Sequence, residues 1–198
     1  QEGNLTAAEV ITVLGLPETI DPLTFDAFAS DVDPTEALAV EKVNHQFMSV
    51  VNAFAAAVEG SGASKVDSFN AALNSVVEVM KVNVTESTTI NFADQADLNL
   101  IKTQILQDVT NVSNADLVAL NNMVDSTTTA ILNVNGKIDL VTDIGSASAK
   151  NVFSTAQVLT VQVKNGVAAE VAAAGNGTIE FTVLSQVEAA VNNIAPTD

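Results

Sequence analysis

Apolar residues recur at intervals of three and four along most of this chain, and that spacing confines it to amphipathic helices. Val40, Val43, Phe47, Val50, Phe54 and Val58 draw one stripe, and Val66, Phe69, Leu73, Val76 and Met80 draw the next. The pattern returns in Leu98, Ile101, Ile105 and Val109, in Leu117, Leu120, Val124 and Ile131, and in Val152, Ala156, Leu159, Val163 and Val167. Each stripe has to be covered by another segment, so the spacing predicts five helices that pack on one another: Pro34–Glu59, Lys65–Val82, Gln95–Val109, Asn114–Val134 and Ser148–Ala174.

Start and stop chemistry agrees with the stripes. Thr6 with Glu9 reads as a capping box and Leu5 with Val10 as a hydrophobic staple, and Ser113 with Asp116 and Val112 with Leu117 repeat the pattern. Asp33-Pro34-Thr35-Glu36 places an acceptor at the N-cap, Pro at the first helical position and an acid at the third. Asp21-Pro22 predicts a further short helix. Gly15 with Pro17, Gly60 and Gly62, Gly136, and Gly175-Asn176-Gly177 are the expected stops. Val82 to Phe92, rich in Thr, Val and Asn with near alternation, reads as an extended crossover; Ile179, Phe181 and Val183 read as the first turns of a last helix. The expected architecture is all-α: an antiparallel helical bundle of about five to six main helices with a small N-terminal helical cap. Residues 1–191 form one helical domain, with the cap at 1–32 and the bundle at 33–191.

Charge narrows the function classes. The 198 residues include 24 Asp and Glu against seven cations, all of them Lys, for a formal charge of −17. Phosphate binding draws on clustered cations, so nucleic acid is not expected as a partner and anionic membrane surfaces are disfavoured. Cysteine is absent, which removes thiolate metal sites, redox motifs and cysteine nucleophiles. The apolar runs are interrupted by polar residues, as Val43 to Val58 is by Asn44, His45, Gln46, Ser49 and Asn52, so no membrane insertion of this segment is expected.

The search for chemistry finds few candidates. Asp31, Asp33 and Glu36, with Asp26 nearby, form an oxygen-rich stretch at a loop and helix start that calcium could use. The competing reading makes Asp33 a cap and Glu36 a dipole partner. Asn133 to Asp139 has the outline of a calcium loop, but Ile131 and Thr142 occupy its first and twelfth ligand positions. His45, the only histidine, follows Glu41 by one turn; the periodicity turns it about half a turn from the core stripe and predicts an exposed surface pair. Gly60-Ser61-Gly62 lacks the Lys and Ser/Thr of a phosphate loop. No nucleophile, base and orienter fall together, so the chain reads as a non-enzyme with no cofactor other than calcium to consider.

Two stretches carry a resemblance. Asn192-Asn193-Ile194-Ala195-Pro196-Thr197-Asp198 resembles the opening strand of a cadherin-like repeat, which would make residues 192–198 a boundary to a following domain. Leu5-Thr6-Ala7-Ala8-Glu9-Val10, Leu14-Gly15-Leu16-Pro17 and Ile20-Asp21-Pro22-Leu23-Thr24-Phe25-Asp26 resemble a helical region of giant secreted or surface proteins of environmental bacteria, adhesin-like and built with cadherin-like tandem repeats. The resemblance implies a bacterial protein that is secreted or held at the cell surface. Within it this chain would be a structural or adhesive helical module, monomeric as an isolated domain, whose partner is a protein or glycan at a cell surface. Two alternatives stay open: a ligand- or calcium-binding head, and a self-assembling extracellular filament subunit.

Overall fold

The computed structural model describes residues 5–22, 24–143 and 145–173, without the side chains at 147–149, 151, 153 and 155–157. Among these the chain is helical throughout, with no strand: α1 Ala7–Val13, α2 Pro34–Gly60, α3 Lys65–Glu86, α4 Gln95–Asp108 followed by a 3-10 turn Val109–Asn111, α5 Leu117–Asp139 and α6 Ala147–Ala172. No helix among the described residues is long and apolar enough to cross a membrane. The predicted final helix from Ile179, the Gly175-Asn176-Gly177 turn and the 192–198 boundary lie outside the described residues.

Local chemistry accounts for most helix ends. Thr6 and Glu9 form the predicted capping box of α1, with Thr6 N donating to Glu9 Oε2 at 2.8 Å. Asp33 Oδ1 accepts from the N–H groups of Thr35 and Glu36 to start α2. α1 closes on Gly15 at φ +65°, where Leu16 N reaches Ile11 O and Gly15 N reaches Thr12 O. This pair of bonds is a Schellman stop, which requires the left-handed residue that Gly supplies.

Several predicted boundaries move, each for a physical reason. The extended crossover over Val82 to Phe92 is instead the last turn of α3 and a short loop. Ser87, at φ 56°, takes the left-handed stop position, and Thr88 N donates back to Asn83 O at 2.9 Å, so the β-branched residues before it stay helical. Gly136 does not stop α5, which runs on to Asp139. The Asn133–Asp139 stretch is therefore continuous helix and no ion-binding loop. α5 begins at Leu117, with Asp116 itself the cap: its Oδ1 accepts from Val118 N and Ala119 N at 3.0 Å, which displaces the predicted Ser113 box. Asp21-Pro22 makes only a turn, closed by Phe25 N donating to Asp21 O.

α2 is the central element, with its most extensive contacts to α6 and then to α3 and α5. One cluster of buried side chains draws on all six helices, from Val13 through Val50, Phe54, Val76, Ile101, Leu120 and Ile131 to Leu159 and Val167. The two sides of α2 are built differently. Toward α6 it presents the small residues Ser49, Ala53, Ala56 and Gly60, and a Cβ on Gly60 would lie 2.4 Å from Lys164 O. The helices approach too closely there for any side chain. Gly62, at φ +112°, is likewise obligatory, since a Cβ would meet Asn114 O at 2.7 Å where the α2–α3 and α4–α5 loops touch.

A buried polar tie joins α2, α5 and the α3–α4 loop. Gln46 Nε2 donates to Asn135 O at 3.1 Å and to Asp139 Oδ1 at 2.7 Å, while Asn135 Nδ2 donates to Gln46 O at 3.3 Å and to Phe92 O at 2.7 Å. Lys42 Nζ donates to Asp139 O at 2.7 Å, satisfying a carbonyl at the end of α5.

A candidate binding cleft between the N-terminal segment and the central helices

Residues 5–22 and 24–32 lie against α2 and α3 and leave a cleft of about 590 Å³ beneath them. That volume falls within the roughly 300–1,000 Å³ of small-molecule sites. The floor is Val40, Val43 and Phe47 of α2 with Val77 and Met80 of α3; the walls are Leu5, Val10, Leu14, Leu16, Ile20 and Phe25. Every feature that positions the walls is local chemistry already described: the staple pair Leu5 and Val10, the Schellman stop that turns Leu14 and Leu16 inward, and the Asp21 turn that places Phe25. Phe47 is fixed from behind by Phe92, the two rings meeting edge to face with centroids 5.7 Å apart. Polar groups are confined to the α2 side, where Glu41 and Asn44 border the apolar lining.

The first half of the α2 stripe therefore serves two purposes. Val50, Phe54 and Val58 are fully buried in the core, whereas Val40, Val43 and Phe47 remain half-buried and face the cleft.

The predicted calcium residues are placed separately. Asp33 is occupied as the α2 cap, Glu36 Oε1 accepts from Thr19 Oγ1 at 2.7 Å, Asp26 Oδ1 accepts from Phe28 N at 2.9 Å, and Asp31 is exposed. Among the described residues no group of three acidic or histidine side chains is arranged to hold a metal ion. The two backbone N–H groups at Asp33 hold its carboxyl below the usual carboxylate range.

His45 departs from the expectation of an exposed surface pair. It contacts Glu41 as predicted, Nε2 to Oε2 at 3.6 Å, but it is half-buried because α6 packs along that part of α2, its Lys150 and Ser154 lining the same hollow as His45. Burial lowers its pKa, against a smaller opposing effect from Glu41. One turn further along, Ser49 Oγ is buried without a hydrogen-bond partner among the described residues. Glu41, His45 and Ser49 thus follow one another at four-residue intervals, yet the hydroxyl–imidazole bond on which nucleophilic catalysis depends is not formed.

Sequence reasoning missed the Gln46–Asn135 tie, Ser49 and Glu170, a buried carboxylate of α6 whose Oε1 accepts from Asn122 Nδ2 at 2.9 Å. Gln46 had a readable signal: it stands three residues after Val43 and four before Val50, within the stripe itself. Comparison with family models, with curated proteins and with solved structures finds no match to this chain.

Proposed function

We propose that this chain is a non-enzymatic structural or adhesive helical module of a large bacterial surface protein, working outside the cell, and that the apolar cleft is its contact surface for a partner protein. The carrying observation is that the residues behind the resemblance converge: Leu5, Val10, Leu14, Leu16, Ile20 and Phe25 all line that one cleft. An apolar lining with polar groups on one side favours a protruding apolar segment of a protein over a glycan. The helices on this reading alternate in direction as an up-and-down bundle. Two contacts support opposite directions for α2 and α5, with Gln46 in the middle of α2 meeting Asn135 near the end of α5 and Ser61 O, just after α2, accepting from Asp116 N, just before α5.

Adhesion is the test. Beads coated with the chain should be retained on bacterial cell envelopes, and Val43→Asp, which puts a charge on the cleft floor, should release them. Equal retention of the two, or none by the wild type, contradicts the adhesive reading.

A further inference from the structure

A second cleft, on the opposite flank of α2, has a different character. It occupies about 790 Å³ between α2, the start of α3 and α6, and its described lining includes Asn44, His45, Ser49, Lys65, Lys150 and Ser154. A smaller hollow of about 330 Å³ continues it along α2 and α6, sharing Asn52, Lys65, Thr160 and Val161 and ending at Lys164. In a chain with 24 acidic residues and seven lysines, the described lining of the larger cleft contains two lysines and no carboxylate. Glu59 enters only in the smaller hollow, where Lys164 Nζ pairs with it at 2.7 Å. Lys65 and Lys150 come from different helices, and neither is ion-paired among the described residues.

Ser49 supplies an independent sign of a missing ligand. Helical serines and threonines elsewhere in the chain donate to the carbonyl one turn back, as Ser68, Ser75, Thr127 and Thr128 do. Ser49 is equally buried, at 3% exposure, and lines the cleft, yet its hydroxyl has no partner among the described residues. A buried unpaired hydroxyl is destabilising, and a ligand acceptor would relieve that cost.

We propose that this cleft binds an acidic saccharide, its carboxylate held between Lys65 and Lys150 and one of its oxygens accepting from Ser49. The amides of Asn44 and Asn52 match the alternating donors and acceptors of sugar hydroxyls. Met48 and Val161, partly exposed along the same groove, offer apolar surface to the C–H faces of the rings. The overall negative charge opposes long polyanions, so the ligand is a short oligomer or a chain end. The site shares only Asn44 with the described lining of the apolar cleft and does not depend on the adhesive reading.

Calorimetric titration with a uronic-acid trisaccharide at low ionic strength tests it. A saturable isotherm is expected, weakened about tenfold by Lys65→Gln and again by Lys150→Gln, each removing a charge-assisted contact. Ser49→Ala should weaken binding while leaving the melting temperature unchanged or raised, since the lost hydroxyl had no partner. Both lysines are exposed, and unchanged melting temperatures in their variants keep the test free of folding effects. Absence of binding by the wild type, or binding indifferent to both lysine variants, overturns the proposal. Equal affinity for the neutral trisaccharide removes the role of the carboxylate, and equal affinity for inorganic sulfate removes the saccharide.

Discussion

Ser87 closes α3 in the left-handed conformation, at φ 56°, where a Cβ is unfavourable. Ser87→Gly keeps the Thr88-to-Asn83 closure and relieves that cost, so it should stabilise the fold by about 0.5–1 kcal/mol in a denaturant titration. Had Val82 to Phe92 been an extended crossover, the same change would have destabilised it. His45 gives a second residue-scale test. Its folded-state pKa lies below the ordinary imidazole value because burial disfavours the cation. The unfolded chain therefore takes up a proton first as the pH falls. The contribution is fully present above the ordinary imidazole range and is lost as the pH drops from there to the depressed folded value. His45→Gln should flatten that limb of the stability curve, and an unchanged slope would contradict the burial.

At the scale of elements, three glycines that look alike in sequence should answer differently to alanine. A methyl group on Gly60 would stand 2.4 Å from Lys164 O, so Gly60→Ala must push α2 and α6 apart and should cost about 1–3 kcal/mol. Gly136 has nothing within 4 Å and sits inside α5, so Gly136→Ala should stabilise by about 0.5–1 kcal/mol through helix propensity. Gly166 meets only the flexible end of Met123, at 3.3 Å, and should tolerate alanine with little change. Thermal denaturation of the three variants reads all of these. The contrast also explains which parts of the fold were legible in advance. The Thr6 and Asp33 caps and the Gly15 stop are local, and they stand as the sequence implies; the stripes hold for most positions, but Val66, Phe69 and Leu117, near the starts of α3 and α5, are exposed, because the first turns of those helices are left uncovered. Gly136 was misread as a stop because its continuation is fixed from elsewhere, by Asn135 bonding to Gln46 and Phe92 and by Lys42 reaching Asp139 O. The exposure of His45 failed for the same reason: one stripe per helix assumes one covered side, and α2 is covered on two.

For the whole molecule, α2 is a ridge with an apolar cleft on one flank and a polar, lysine-lined cleft on the other, and Asn44 borders both. Neither cleft was legible in sequence. The apolar one needs the segment before α2 folded back over α2 and α3, and the polar one needs Lys65 and Lys150 brought to the lining of one cleft across a sequence separation that no local pattern records. Everything proposed for adhesion requires the apolar cleft to be a binding surface and no mere packing fault. Fluorescence of an arylnaphthylamine probe, excited outside the absorption of aromatic side chains, can be followed without protein background. The decisive experiment titrates the probe into the wild-type chain and into Val43→Trp, whose larger side chain occupies the cleft. Saturable enhancement at one site per chain is expected in the wild type, with its loss in Val43→Trp at an unchanged melting temperature; no enhancement in the wild type, or equal enhancement in both, would contradict a binding role for the cleft.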